Sequence, residues 1–409
     1  MKKLGFVMLA GLGGTAHANG FLLNEFDAKS VGRGNASTAT DVDPSSIYYN
    51  IGGLAAGDGT AFQIGGALIA PDSSYSDAAG GMKTSTNTDP QVIPHLFVSS
   101  RITSMFAVGV GFYTPFGSAV SWPDNSPQTD LVHKISLRTY FITPSVGANL
   151  GSFVPGLTVG GGLDIVPATV ELQQDVFFGT ETGTAHLGGK GLGFGARLGV
   201  MYQPRSLPRF SFGAMWRSEV NEKLDGTGDF DAASPFRAQL PPDGPIHTTV
   251  KLPQSISGGV AVRPTDNLEV EANLVWTNWS EFNSLDIDVP ATMGTGTMTI
   301  SQPKNYENRT TIRLGAEYRL PLSHLALRAG YIYDPTPVPA NRLGPDLPDA
   351  NRNDVTAGGS IYFGNYDVNL GLLAVLPSDR TSTLTPSFSK YEISAFVASV
   401  TLGGRFGSK

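Results

Sequence analysis

Few residues in this chain could do covalent or metal chemistry, and their spacing is wrong for it. The 409 residues hold no cysteine and six histidines, so thiol nucleophiles, disulfides and Cys-ligated metal sites are excluded. His95, His133, His186, His247 and His324 show no pair at metal-ligand spacing, and no Gly-x-Ser-x-Gly elbow is present. Gly109-x-Gly111 and Gly193-x-Gly195 lie inside strand patterns rather than opening helices, so they fail the context test for a dinucleotide site. Neither an enzyme nor a cofactor is expected. The remaining candidates would bind by burial and charge. Phe177, Phe178, Phe230 and Phe236 lie in long connections away from predicted strand ends, where exposed aromatics suggest capture of an apolar ligand. Asn24, Glu25 and Arg33 place polar groups in a segment that carries paired apolar residues, Phe21 with Leu22 and Ile47 with Tyr48.

These groups must be positioned by a large all-β framework. Glycine numbers 50, charged residues are only 15% and aromatics 10% of the chain, a profile that suits strands facing apolar and aqueous surroundings in alternation. Lys2 and Lys3, the apolar run Leu4 to Gly14 and Ala16-His17-Ala18 form a cleavable export signal over residues 1–18. The net charge is −7, and with no basic run a nucleic-acid partner is not expected. No later stretch is long and apolar enough for a transmembrane helix.

Beyond Leu54 the pattern has period two. In Leu268-Glu269-Val270-Glu271-Ala272-Asn273-Leu274, one face is apolar and the other polar. Fourteen such segments are predicted: 60–71, 92–102, 104–114, 132–150, 156–170, 190–203, 208–218, 249–263, 267–278, 306–319, 324–334, 352–363, 365–376 and 389–406. Short links alternate with long ones at 72–91, 115–131, 171–189, 219–248, 279–305, 335–351 and 377–388. That alternation is what an outer-membrane barrel produces, and an even strand number closes without an edge. The expected fold is a 14-stranded antiparallel outer-membrane β-barrel (59–409) with an N-terminal hatch, or plug (19–58), inside its lumen. Closure also predicts a monomer.

Behind the leader stand Gly20-Phe21-x-Leu23-Asn24-Glu25-Phe26 with Gly32-Arg33, Asp43-Pro44-Ser45-Ser46-Ile47-Tyr48-Tyr49-Asn50, Trp216-Arg217-Ser218-Glu219, Leu252-Pro253-Gln254, Trp276-Thr277-Asn278-Trp279-Ser280-Glu281-Phe282 and Asp334-Pro335-Thr336-Pro337-Val338-Pro339-Ala340-Asn341-Arg342. In their order and spacing these motifs resemble the FadL family of outer-membrane transporters of long-chain fatty acids and hydrocarbons. The resemblance covers essentially the whole chain beyond the leader. It implies residence in the outer membrane of a Gram-negative bacterium, facing lipopolysaccharide outside. It also implies capture of a long-chain fatty acid or other hydrophobic molecule in an external groove, transfer to a hatch-gated pocket, and sideways release through a gap at a kink in the third strand. A general porin and an uptake channel for uncharged hydrocarbons stand as alternatives.

On that resemblance Phe21, with Leu22 beside it, is expected to reach into the pocket. Asn24, Glu25 and Arg33 would anchor the hatch through luminal Arg and Glu. Gly109 and Gly111 would mark the kink, although glycine also serves ordinary barrel packing. Phe177, Phe178 and Phe236 would line the capture groove. Basic side chains meet the fatty acid head in the family, yet Ala168-Thr169-Val170-Glu171-Leu172-Gln173 carries none; Lys304, Arg309 or Arg313 are the candidates here. A further departure is Asn50-Ile51-Gly52-Gly53, where relatives commonly have Asn-Pro-Ala, which predicts a looser hatch. Tyr113, Phe116, Trp122, Trp276, Trp279, Tyr331 and Tyr333 are expected mostly in interfacial girdles.

Overall fold

The computed structural model describes residues 20–77, 81–179, 181–292, 296–384 and 389–407, and the leader expected over 1–18 lies outside them. Period-two alternation resolves as expected: Glu269 and Glu271 point into the lumen, Glu271 fully buried, while Val270 and Leu274 face outward. Fourteen strands form the wall: β1 (Thr60–Asp77), β2 (Gln91–Arg101), β3 (Phe106–Tyr113), β4 (Phe141–Asn149), β5 (Leu157–Phe177), β6 (Thr182–Tyr202), β7 (Phe210–Arg217), β8 (Ser255–Val262), β9 (Leu268–Thr277), β10 (Arg309–Arg319), β11 (Leu325–Asp334), β12 (Arg352–Phe363), β13 (Tyr366–Thr381) and β14 (Ser389–Phe406). Each pairs antiparallel with the next, and β14 returns to β1 from Phe406–Thr60 to Ser389–Asp77. Closure satisfies the backbone groups that an open sheet would leave bare. Outside lies a band of exposed Leu96, Val110, Leu198, Leu274, Leu314, Leu370 and Val400, the apolar belt of a bilayer-embedded barrel.

The short links fall together at one end and the links expected to be long at the other. Within that end 171–189, expected to be a loop, is mostly strand: β5 and β6 each run on for 21 residues and pair as far as Phe177 with Thr182. The 219–248 and 279–305 connections likewise contain strands, Val220–Asp231 with Gly244–Leu252 and Ser284–Pro290 with Thr297–Pro303. Alternation there continues past the membrane-length segment, so these hairpins raise a second, smaller wall on the barrel rim. The expected strand 132–150 is two pieces, Lys134–Thr139 and Phe141–Asn149; both pair with β5, but on the other side the first meets Gly117–Ser121 and the second β3.

Residues 20–58 fill the lumen. Asp27 caps the short helix α1 (Ala28–Gly32), its carboxylate accepting from Ser30 N–H at 3.1 Å. Helix α2 (Ser46–Tyr49) leads into a 3₁₀ turn, Ile51–Ala55. Phe26, Val31, Ile47 and Ile51 are fully buried. The plug approaches the wall where inward-facing wall residues are glycine. A Cβ on Gly213 would lie 1.9 Å from the Thr38 carbonyl oxygen, on Gly315 2.2 Å from that of Arg33, and on Gly160 2.1 Å from that of Ile51. The looseness expected at Gly52-Gly53 is not found. Asn50 Oδ1 accepts from Gly52 N–H at 3.0 Å, and a Cβ on Gly53 would sit 1.9 Å from the Asp41 carbonyl oxygen. Close packing, rather than flexibility, accounts for glycine there.

Candidate ligand pocket, hatch and wall opening

A cavity of about 90 Å³ lies between the start of the hatch and the rim hairpins, lined by Phe21, Leu137, Leu172, Val250, Phe282 and Ile287 among others. Phe21 stands edge-on to Trp279 and Phe282, ring centroids 5.0 and 5.2 Å away, and lies 5.9 Å from Phe116. Its carbonyl accepts from Gly117 N–H at 2.9 Å, and Gly20 N–H donates to Asp349 Oδ2 at 3.3 Å. A Cβ on Gly20 would fall 2.6 Å from the Trp279 ring, so glycine is what lets the chain pass this indole. Burial pushes the Asp349 carboxyl up to about 7. Lys304 and Asp346 are the charged residues of the lining, and they pair at 2.5 Å. A dry apolar cavity of roughly 150 Å³ admits benzene. This cavity, at about 90 Å³, is smaller than that. Phe21 is the lining residue carried by the hatch.

The wall opens beside the pocket. The ladder runs unbroken through Gly109 and Gly111, so the bend expected there is displaced. Both glycines instead leave room for the plug: a Cβ on Gly109 would lie 2.9 Å from Ile47 Cδ1. The strand departs at Thr114-Pro115-Phe116, where Pro115 has no N–H to continue pairing. Leu23 N–H donates to the Pro115 carbonyl at 2.8 Å and Leu22 bridges Phe116, so the chain turns inward and pairs with the hatch. Beyond the turn, Gly117–Ser121 pairs with Lys134–Thr139 rather than β2. The space left against Gln91–Pro94 is a cavity of about 240 Å³, bordered by Leu23, Ile93, Pro94, Ala119 and Leu137. Proline two residues after the last ladder pair was the available signal for the kink.

Of the three expected anchors, only Arg33 reaches the wall, bonding Glu269 at 3.0 Å and Glu271 at 3.4 Å. Asn24 is held within the hatch, accepting from Tyr48 and Tyr49 hydroxyls through its side-chain and main-chain oxygens. The Glu25 carboxylate accepts from Asn24 N–H at 2.8 Å. Among the described residues neither makes a side-chain hydrogen bond or ion pair to the wall, although Glu25 is near enough to Arg352 of β12 for their charges to attract. Glu271 is the stronger anchor, accepting also from Ala39 N–H at 2.7 Å and Thr40 Oγ1 at 2.5 Å. Lys29 joins Asp43 at 2.8 Å and Asp367 at 3.0 Å; burial opposes its charge, but the two carboxylates outweigh it and raise its pKa. Leu22 lines a separate cavity with Arg313, which is therefore not in the apolar pocket. Arg309 bonds Glu307 and the Thr336 carbonyl.

At the rim, Phe178 and Phe236 stack with centroids 5.0 Å apart, while Phe177 ends β5 and is exposed. Phe230 is buried in the hairpin core beside Ala185 and Ile246, which corrects the expectation of an exposed aromatic. Tyr113, Phe116, Trp122 and Trp279 are buried inside rather than forming a girdle, because Tyr113 faces the lumen from β3 and the chain beyond β3 and the 279–282 turn swing inward. Phe62, Phe406, Phe363 and Tyr366 cluster at the short-turn end.

A closed fourteen-stranded barrel with a lipid-facing exterior, a seated plug and an apolar pocket under the plug's first residues defines an outer-membrane transport protein for hydrophobic compounds. Residues 9–371 match the family described as outer membrane protein transport protein (OMPP1/FadL/TodX), and the chain belongs to it. It is 26% identical over 397 residues to a long-chain fatty acid transport protein of Escherichia coli O6:H1, covering 87% of this chain and 86% of the relative. Among solved structures it resembles a Pseudomonas aeruginosa FadL homologue (TM-score 0.82, 18% identity, 95% of this chain and 100% of that one). It also resembles the Pseudomonas putida toluene transporter TodX (TM-score 0.76, 20% identity, the same coverage). The family consists of outer-membrane transport channels, not enzymes.

Proposed function

We propose that the chain moves long-chain fatty acids through the outer membrane by a lateral route. Cargo is gathered from the lipopolysaccharide face by the rim hairpins, with exposed Phe177 and the Phe178–Phe236 stack as first contacts. It then enters the pocket by displacing Phe21. Because Leu22 and Leu23 are paired to Pro115 and Phe116, movement of Phe21 loosens the same segment that borders the wall opening. The cargo leaves between β2 and Gly117–Ser121 into the bilayer, its preferred solvent, without crossing the lumen. The observation that carries this reading is that the hatch start contacts both the pocket and the break in the wall. One chain suffices, since closure leaves no edge to pair.

Uncharged hydrocarbon cargo is the second reading, favoured by Lys304 being already neutralised by Asp346. Uptake by cells lacking other routes separates the two. Import of radiolabelled oleate, blocked when Ala119 and Pro94 are replaced by cysteine and crosslinked across the opening, supports the proposal. Import of toluene but not oleate replaces the cargo class. Import unaffected by the crosslink rules out the lateral route.

A further inference from the structure

We propose that Arg217 and Arg313 form a buried site for a single monovalent anion, a halide or a carboxylate, behind the start of the hatch. Both side chains are about 95% buried and line one cavity of about 40 Å³ together with Leu22, Tyr48, Ser255 and Ser257. That is several times the roughly 10–15 Å³ that one water needs. Among the described residues no carboxylate lies within 4 Å of either guanidinium, and the Nε of each has no hydrogen-bond partner. Arg217 instead stands 4.7 Å over the Phe116 ring, and Arg313 reaches only the Asn35 carbonyl, at 3.5 Å. The nearby acids are engaged elsewhere: Asp354, whose charge Arg313 feels, pairs with Arg352 at 3.6 Å. Arg197 is held by Asp164 at 2.9 Å, and the Glu25 carboxylate accepts from a main-chain amide and forms no ion pair among the described residues.

Two desolvated cations lining one cavity with no carboxylate in contact are costly unless an anion completes them. Guanidinium donors and the Ser255 and Ser257 hydroxyls suit a small anion, and the volume excludes anything larger than a head group. Phe116 separates this site from the apolar pocket, since it touches Phe21 on one side and Arg217 on the other. An anion there would tie the plug to the wall through Leu22 and Tyr48.

The test uses the full-length protein in non-ionic detergent, titrated with sodium bromide against a sodium gluconate background. Saturable bromide binding, read by bromide NMR line broadening and by a rise in Tm, is expected. Arg217→Gln and Arg313→Gln should each weaken it at least tenfold, whereas Lys304→Gln in the apolar pocket leaves it unchanged. In gluconate, Arg217→Gln should raise Tm above wild type, and bromide should close that difference. A merely structural Arg217 would lower Tm in both salts. Displacement of bromide by octanoate but not by methyl octanoate identifies a cargo head group as occupant, and failure of octanoate to displace it identifies a solvent halide. Either result is independent of oleate uptake. No saturable bromide binding, or binding untouched by both substitutions, overturns the proposal.

Discussion

Truncating Phe21 to alanine should release the start of the hatch while leaving the barrel intact. The ring is 5% exposed and makes edge contacts with Trp279 and Phe282 and a tilted one with Phe116. Removing a buried Phe costs about 3–5 kcal/mol, of which each aromatic contact supplies roughly 0.5–1.5 kcal/mol. The main-chain bonds of this segment, Gly117 N–H to the Phe21 carbonyl and Gly20 N–H to Asp349, do not involve the ring and should survive. The low end of the range is therefore appropriate, and about 3 kcal/mol corresponds to roughly a hundredfold shift in the opening equilibrium. Hydrogen exchange on peptides spanning residues 20–26 measures this directly. Protection there should fall by about two orders of magnitude while β8, β9 and β10 are unchanged. Protection altered by less than threefold would show that Phe21 does not hold the hatch closed, and the gating argument would fail with it.

Other predictions concern the seat of the plug. Glu271→Ala leaves Arg33 to Glu269 alone and strands the Ala39 N–H and Thr40 hydroxyl, which should cost about 1–3 kcal/mol per stranded donor, exposing residues 33–40 to protease while the barrel keeps its heat-modifiable gel mobility. Gly213→Val places a side chain where the Thr38 carbonyl stands and should raise single-channel conductance as the plug is displaced; unchanged conductance would mean the wall yields instead. Asp349 has its carboxyl raised by burial to about 7. Between its ordinary value near 4 and about 7 the seated state holds more protons than the released one, so seating should weaken as pH rises through that window and level off above it. Asp349→Asn should flatten the dependence, read as hatch protection between pH 4 and 8.

Much of the architecture was legible in the one-dimensional pattern. Alternation such as Leu268 to Leu274 can be satisfied only by a strand with one apolar and one polar face, so strand number and short-link positions followed from local chemistry. Loop interiors did not, because 171–177 and 220–231 alternate like wall strands, and only pairing partners show that they extend the rim. The plug's anchors were half legible. A buried arginine needs an acid, which pointed to Arg33, but which residues reach across the lumen depends on how the segment is rotated. That rotation placed Asn24 toward Tyr48 and Tyr49 and brought Ala39 and Thr40 to Glu271.

The sequence by itself determined a barrel, a lipid-facing exterior and a non-strand segment to fill it, because these rest on periodicity and composition. Tertiary structure alone decided that Gly109 and Gly111 cradle the plug while Pro115 breaks the wall, that Lys304 is neutralised, and that Arg217 and Arg313 meet across one cavity. Those facts depend on contacts between residues from about 40 to 290 positions apart, which only the folded barrel brings together.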